Sequence, residues 1–296
     1  MKQFILNKEP DKGIVRLEGS DYRYLVRVRR LATGEFFPAL LPDGEETLIQ
    51  VLSIDHGVLT GKCTSGETSG SLLSKNPPAG TISFIPPIIL FQAMPKGEKM
   101  DLIIRQAAEG GITEIVPFIS EFSIGKINAE KQKFLRWERI IKEARQQSGS
   151  KTMTTIRPLL SINALFDYWK SLKETGKDTD CPDANDTDAN DTDVKGVLGV
   201  LFHHEKLLNL ADTGEVHRRG LENNCLHGYL DIIPKIVVLA IGPEGGFSDR
   251  EAVLFMDNGF KPMTIGDTVL RTETAAVYCT AAIRILLLER NSWELK

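Results

Sequence analysis

Residues 239–251, LAIGPEGGFSDRE, are the stretch of sequence that decides the fold. An apolar run typical of a buried strand ends in a Gly/Pro turn, and a helix begins immediately after it. Ser248 followed by Glu251 is a capping box, which marks the first turn of that helix. A strand that leads through a glycine-rich turn into a helix is a building unit of parallel α/β sheets. The stretch therefore predicts an α/β domain.

The turn itself carries three glycines: Gly242, Gly245 and Gly246. They remove three Cβ atoms at the carboxyl end of a strand, where open α/β sheets bind ligands and where backbone can closely approach a nucleoside. Neither a GxxxxGK[ST] loop nor a GxGxxG loop is present here, so a nucleotide-like ligand would bind by another geometry. The alternative is a tight strand-to-helix turn that needs glycine only for positive φ.

A second segment, residues 265–275 with the sequence IGDTVLRTETA, leads straight into a long apolar helix. Gly266 ends a short strand, and Thr272 is the predicted N-cap. Glu273 lies in the first turn, where the helix dipole favours an anion. Arg271 is predicted either to carry a function or to be a surface residue that pairs with Glu273. The helix that follows is either core or the face of a dimer.

The chain divides into two regions that differ in the spacing of their apolar residues. Up to about residue 72, short runs of alternating apolar and polar residues, separated by turn signals, predict a small β-barrel. From residue 81 onwards, apolar strands alternate with amphipathic helices. The clearest strands are residues 82–90, 112–119, 197–202 and 236–241. We therefore predict two domains, residues 1–72 and residues 73–296, which suits a length of 296 residues.

The formal net charge of −4 would at first argue against a nucleic-acid partner. Residues 174–196, however, carry eight acidic residues against Lys177 and Lys195, a net charge of −6, so the remainder of the chain is at +2. This segment repeats DANDT with almost no apolar residues, which predicts a disordered acidic insertion. A calcium loop is the alternative, but the glycine and the terminal glutamate of an EF-hand are absent. The charge is therefore compatible with RNA.

Other features limit location and cofactors. No apolar run is long enough to cross a membrane, and the first residues lack the apolar segment of a signal peptide, so we expect a cytoplasmic protein with no membrane partner. The four cysteines are scattered without a CxxC pair, which fits a reducing compartment. The possible metal ligands His203, His204, Cys225 and His227 have no regular spacing, so no metal site is expected.

Five motifs resemble those of one protein family and are named here from the most to the least informative. They are GPEGGFS at 242–248, IGDTVLRTETA at 265–275, KGEKMDLIIRQAAEGG at 96–111, RWERIIKEARQQSG at 136–149 and YLVRVRRLATG at 24–34. Together they resemble the RsmE-type 16S rRNA uridine-N3 methyltransferases of the SPOUT superfamily, which use S-adenosyl-L-methionine. Two departures are Thr268, where the family usually has a basic residue, and Ser150 with Lys151, where it often has arginine.

The resemblance implies a fold, a cofactor and partners. The fold is an α/β C-terminal domain with a trefoil-knotted (SPOUT) parallel sheet, plus a small N-terminal PUA-like β-barrel that binds RNA. The partners are 16S rRNA or the small ribosomal subunit and a second copy of the chain in a homodimer. The implied cofactor-binding residues are Leu201, Phe202, Ile241, Gly242, Pro243, Gly245, Gly246, Ile265, Gly266, Leu270 and Thr272. A methyltransferase of other RNA specificity and a non-catalytic RNA-binding ribosome-assembly protein remain as alternatives.

Methylation of uridine N3 requires removal of its proton and alignment of the nitrogen with the methyl group. Arg271 would stabilise the uracil anion. Glu244 and Glu273 are candidates for the base, or else satisfy backbone N–H groups at a turn and a helix start. Basic groups in a strand region of the barrel and on the exposed side of the helix around Trp137 would contact the RNA backbone, with ordinary solvated faces as the alternative. The candidates are Arg23, Arg27, Arg29, Arg30, Arg136 and Arg145.

Overall fold

The computed structural model describes residues 4–42, 45–64, 85–123, 131–175, 196–203, 226–230, 233–265 and 268–289. The chain divides into two compact units. The first comprises Met1–Ile82 with Lys142–Met153, and the second comprises Ser83–Ile141 with Thr154–Lys296. The predicted boundary between residues 72 and 73 lies outside the described residues, as do residues 176–195 of the predicted acidic insertion.

A five-stranded sheet forms the first unit. Its strands are β1 (Phe4–Ile5), β2 (Ile14–Leu17), β3 (Phe36–Leu40), β4 (Glu46–Asp55) and β5 (Val58–Thr64). They lie in the order β1-β3-β4-β5-β2, with β1 parallel to β3 and the other pairs antiparallel, and the sheet curls into a half-barrel. Phe4, Phe37 and Ile49 are fully buried in its concave core, as the alternating pattern predicts.

The arginine-rich segment after β2 is helical, which corrects the predicted strand region. Helix α1 (Gly19–Tyr22) continues as the π-helical stretch Arg23–Val28. The Arg29 N–H donates to the carbonyl oxygen of Tyr24, five residues back, at 2.9 Å. The wider π turn brings Leu25 into the core with no exposed surface. Tyr22, Tyr24 and Val26 pack against the same core, so a helical apolar face replaces the expected strand alternation.

The second unit is built around a parallel sheet. Its strands are β6 (Ile88–Ala93), β7 (Glu114–Ile119), β8 (Thr155–Ile156), β9 (Leu160–Ser161), β10 (Val197–Phe202), β11 (Ile236–Ile241) and β12 (Lys261–Met263). The order is β12-β10-β11-β6-β7-β8, with β9 also pairing with β7, and every pair is parallel. Strand β6 begins later than the predicted residue 82, because Pro86 and Pro87 have no N–H to donate to a sheet.

The described helices that follow β6 along the chain are α2 (Lys99–Glu109), α3 (Lys131–Ser148), α4 (Ile162–Thr175), α5 (Leu226–Tyr229), α6 (Asp249–Asp257) and α7 (Thr272–Glu289). Helix α3 is divided between the two units, because its residues from Lys142 onwards belong to the first. Phe91, Phe118, Trp169, Phe255 and Phe260 form an aromatic core between the sheet and helices α4 and α6. Among the helices described, none is long and apolar enough to cross a membrane.

The parallel arrangement decides where a site can form. The carboxyl ends of parallel strands meet at one edge of a sheet, and ligands of open α/β sheets bind outside that edge. In this unit, Ala93, Ile119, Phe202 and Ile241 end their strands there. The segments that follow β10, β11 and β12 are the ones in which the sequence predicts cofactor-binding residues.

Candidate functional site

A pocket lies at the carboxyl edge of the parallel sheet, with a volume of about 690 Å³ when its opening to solvent is counted. Nine of the predicted cofactor residues line it: Phe202, Ile241, Gly242, Pro243, Gly245, Gly246, Ile265, Leu270 and Thr272. Leu201 does not, because successive strand residues face opposite sides of the sheet and its side chain joins the aromatic core. Gly266 lies outside the described residues. The sequence did not single out Cys279, which also lines the pocket.

The glycine loop (residues 242–248, between β11 and α6) is closely packed. A Cβ atom on Gly242 would lie 3.0 Å from the backbone carbonyl carbon of Gly246 and 3.3 Å from the backbone nitrogen of Phe247. Gly246 has a φ of +69° and donates its N–H to the carbonyl oxygen of Pro243 at 3.0 Å. Positive φ therefore explains Gly246, whereas close backbone approach explains Gly242.

The predicted capping box closes this loop. The Ser248 side chain accepts a hydrogen bond from the Glu251 N–H at 3.3 Å, and a Glu251 carboxylate oxygen accepts one from the Ser248 N–H at 3.1 Å. The other Glu251 oxygen accepts from the backbone N–H of Glu121, which follows β7, at 2.8 Å. Glu251 is buried, with 6% of its surface exposed. The Glu251 carboxylate therefore joins the start of α6 to the segment that follows β7.

Thr272 joins the two predicted motifs. It is the first residue of α7, and its hydroxyl donates to the carbonyl oxygen of Gly242 at 2.6 Å. The same hydroxyl accepts from Nε2 of Gln92, at the end of β6, at 3.1 Å. Thr272 and Gln92 are buried, so the bond is shielded from water. The predicted N-cap position is corrected by one residue: α7 already begins at Thr272, and the Ala275 N–H donates to the carbonyl oxygen of Arg271 at 2.7 Å. Gln92 was not predicted, although a polar residue within an apolar run was a signal.

Glu244, a predicted base, is held by hydrogen-bond donors. The Lys99 Nζ atom lies 2.8 Å from one of its oxygens, and the backbone N–H of Lys96 donates to both oxygens at 3.1 and 3.2 Å. Partial burial alone would raise the pKa of the Glu244 carboxyl, but the Lys99 ammonium and nearby backbone N–H groups outweigh it and hold the pKa below its ordinary value. An ionised carboxylate with both oxygens occupied is a weak base at neutral pH.

Glu273, the other predicted base, faces the same lysine. Its Oε2 atom lies 3.7 Å from the Lys99 Nζ and is buried, without a hydrogen bond to any residue that the structure describes. The predicted alternative, a surface pair between Arg271 and Glu273, is therefore not formed. Arg271 is exposed, and its guanidinium has no ion pair or hydrogen bond within the described part of the chain. It lies between Leu270 and Thr272, both of which line the pocket.

The predicted RNA-binding residues fall into three environments. Arg23, Arg27 and Arg30 are exposed on the first unit, whereas Arg29 is half-buried. Arg136 is half-exposed on α3 and forms an ion pair with Asp101, which also accepts a hydrogen bond from the Trp137 indole at 3.0 Å. The exposed arginines are therefore available to a polyanion.

Arg145 corrects the prediction that the whole basic group lies on the exposed side of α3. Only 5% of its surface is exposed, because it faces inward near the end of the helix. One guanidinium nitrogen lies 3.2 Å from the sulfur of Met153, and burial lowers the pKa of the group. Among the described residues, no carboxylate pairs with it.

The described residues contain no cluster of three metal-ligating side chains.

The fold and the pocket define the class of protein. A family model described as RNA methyltransferase domain matches residues 84–284, and the chain belongs to that family. This range contains the parallel sheet and every segment that lines the pocket.

Individual relatives narrow the comparison. Ribosomal RNA small subunit methyltransferase E 2 of Borreliella burgdorferi is 28% identical over 98% of this chain and 100% of its own length. Ribosomal RNA small subunit methyltransferase E of Aquifex aeolicus is 29% identical over 85% of this chain and 86% of its own. The resemblance predicted from the motifs is confirmed by these names.

A solved structure gives the same fold. It is a ribosomal RNA small subunit methyltransferase E from Neisseria gonorrhoeae bound to S-adenosyl methionine, with a TM-score of 0.66 and 22% identity over 97% of this chain and 98% of that one. The likeness confirms the predicted fold class, an α/β domain with a parallel sheet plus a smaller N-terminal β domain.

Proposed function

We propose that this chain transfers a methyl group from S-adenosyl-L-methionine to N3 of a uridine in 16S rRNA of the small ribosomal subunit. The observation that carries the proposal is the pocket at the carboxyl edge of the sheet, where Thr272 joins the glycine loop to the segment that contains Arg271. The names of the relatives support the same substrate and reaction. The substrate implies that the chain works in the cytoplasm.

The residues present suit this cofactor. Phe202, Ile241 and Leu270 offer an apolar lining for an adenine ring, and the glycine loop offers backbone N–H and carbonyl groups at close range. When bound, S-adenosyl-L-methionine supplies an electrophilic methyl group on a sulfonium sulfur. The protein's contribution is then to hold the glycine loop rigid, so that the cofactor enters a preformed site and its methyl group is presented to an incoming uracil.

Arg271 is the residue we assign to the chemistry. Uracil becomes an anion when its N3 proton passes to solvent water at the open pocket, and a cation beside the pocket stabilises that charge. Arg271 is exposed and unpaired within the described residues, so its guanidinium is free to bind the base. Glu244 and Glu273 are assigned structural roles instead, because both face Lys99. The exposed residues Arg23, Arg27, Arg30 and Arg136 are assigned to the RNA backbone.

A homodimer is part of the proposal. Helix α7 leaves Tyr278, Ile285 and Leu288 about half exposed, with Ala281 between them at the same helical spacing. An apolar stripe of this length on the last helix favours contact with a second copy of the chain. Sedimentation of the purified protein should give twice the monomer mass, and Ile285→Glu should give the monomer; a monomeric parent protein would contradict the assignment.

The reaction is tested by mass spectrometry of nucleosides. Small subunits and bare 16S rRNA from a strain that lacks this gene are incubated with the protein and S-adenosyl-L-methionine. N3-methyluridine is the expected product. A ribose-methylated nucleoside would assign another specificity, and cofactor binding without any methylated nucleoside would favour a non-catalytic RNA-binding protein.

A further inference from the structure

Phe122 is an exposed aromatic residue in a tight turn beside the pocket. The turn spans residues 120–123 directly after β7, and the Ser123 N–H donates to the carbonyl oxygen of Ser120 at 3.0 Å. Nearly half of the Phe122 surface, 46%, is exposed. Its ring stacks on no other aromatic ring in the described part of the chain. The exposed part of this ring is an apolar face that a ligand can contact.

The turn that carries the ring is held firmly. Ser120 is buried, its N–H donates to the Ser123 hydroxyl oxygen at 3.1 Å, and the two hydroxyl groups are also 3.1 Å apart. The Glu121 N–H donates to the buried carboxylate of Glu251 at 2.8 Å. Hydrogen bonds on both neighbours of Phe122 fix the direction of its Cα–Cβ bond. A turn fixed in this way loses little backbone conformational entropy when its side chain binds a ligand.

The base of the ring touches the glycine loop. A Cβ atom on Gly245 would lie 3.1 Å from the Cβ and 3.3 Å from the Cγ of Phe122, so the ring stands against bare backbone. Gly245 lines the pocket, and β7 ends at the same edge of the sheet as β6 and β11. Phe122 is therefore at the rim of the pocket while nearly half of its surface faces solvent.

We propose that Phe122 stacks on a base of the RNA substrate at the rim of the pocket. The inference rests on the proposed function, because the ligand is the RNA that would be methylated. Aromatic rings bind unpaired bases through their π faces, whatever the base. The apolar ring favours a base over the RNA backbone, and the neighbouring Glu244 carboxylate is already paired with Lys99. Phe122 is thus a substrate-positioning residue.

The test compares Phe122→Ala and Phe122→Trp with a control, Leu102→Ala, which removes an apolar side chain of similar exposure from α2. Phe122→Ala should raise the KM for RNA about tenfold to a hundredfold. Phe122→Trp should restore the KM, because a larger ring still stacks. Leu102→Ala should leave it unchanged. All the variants should bind S-adenosyl-L-methionine as the parent does, measured by calorimetry.

A direct readout does not depend on turnover. RNA that contains 5-bromouridine near the target uridine is irradiated in complex with the protein, and the cross-linked peptide is identified by mass spectrometry. Attachment to Phe122 is expected. An unchanged KM for Phe122→Ala with no cross-link at Phe122 would overturn the inference. It would also be overturned if Phe122→Ala mainly weakened the binding of S-adenosyl-L-methionine. The same holds if the variant converted a dimer into a monomer while the KM for RNA stayed unchanged. RNA binding without methyl transfer, with the cross-link retained, would refute the proposed function alone.

Discussion

The two loops that form the pocket differ in how they are held. The glycine loop is fixed by close backbone packing at Gly242, by the capping box of Ser248 and Glu251, and by the Lys99 ion pair to Glu244. The arginine loop (residues 264–271, between β12 and α7) is open: Val269 is 71% exposed, and Arg271 has no side-chain partner in the described part of the chain. Thr272, which directly follows this loop, is buried.

This difference separates two tasks. A rigid loop is suited to a cofactor that enters a preformed site, because no order has to be created on binding. An exposed loop with a free cation is suited to a large substrate that arrives from solvent. If the comparison is correct, changes in the glycine loop should affect the cofactor first, and changes in the arginine loop should affect turnover first.

The largest effect is expected in the arginine loop. Arg271→Ala should lower kcat about a hundredfold to a thousandfold, which is typical for the loss of one group that stabilises a developing anion. The Kd for S-adenosyl-L-methionine should change little, because the guanidinium is exposed. Arg250→Ala removes an equally exposed arginine from α6 and serves as the control. An equal fall in cofactor affinity for Arg271→Ala would indicate that the residue only supports the pocket.

The next effect tests the glycine loop. Gly242→Ala places a Cβ atom 3.0 Å from the backbone of Gly246, so one segment of main chain has to shift. Overpacking of this kind costs about 1–3 kcal/mol when the loop keeps its parent conformation. Because the cofactor binds to that conformation, restoring it on binding should lower cofactor affinity about tenfold to a hundredfold. Gly245→Ala is the comparison: its Cβ meets the Phe122 side chain outside the glycine loop rather than main chain within the loop, so the loop can keep its own conformation. Calorimetry should rank the two variants in that order. Equal affinity in Gly242→Ala and the parent would contradict the close-packed loop.

Features that depend on neighbours in sequence were predictable. The bounds of β10 and β11 follow from their apolar runs, and the capping box follows from residues three positions apart. The pocket residues came from the motif resemblance, because no periodicity marks a ligand site.

Contacts between distant segments were not predictable. The bond between Gln92 and Thr272 joins residues 180 positions apart, and Lys99 meets Glu244 only after the strands have assembled. The inward side of α3 was also misjudged at Arg145, since a charged residue is seldom buried without a partner carboxylate. Sequence patterns therefore placed the elements, and packing decided which polar side chains hold them together.

A smaller effect is expected where the two loops meet. Thr272→Val keeps the shape of the side chain but leaves the Gly242 carbonyl and the Gln92 amide without their shared partner in a buried position. The free energy of unfolding should fall by about 1–3 kcal/mol, measured by urea denaturation. Thr272→Ser should recover most of it. Thr280→Val is the matched control, because the buried Thr280 hydroxyl donates only to the Ala276 carbonyl in its own helix. Equal losses at both positions would show that the bridge adds nothing.

The smallest effect is expected for the ion pair at the edge of the glycine loop. Lys99→Met removes the ammonium that lies 2.8 Å from Glu244 and should lower stability slightly at neutral pH. Burial would raise the pKa of Glu244, yet Lys99 and the backbone donors hold it below its ordinary value in the folded chain. The ionised Glu244 carboxylate therefore stabilises the fold at every pH above the pKa that it has in the unfolded chain. This stabilisation is lost as pH falls through the lower pKa that it has in the folded chain. The stability difference between Lys99→Met and the parent should narrow as pH falls from about 7 to below about 4. Lys96→Met removes a neighbouring charge but keeps the backbone N–H that binds Glu244, so it should show no such narrowing. A difference that stays constant with pH would mean that Lys99 acts through packing of its methylene groups and not through its charge.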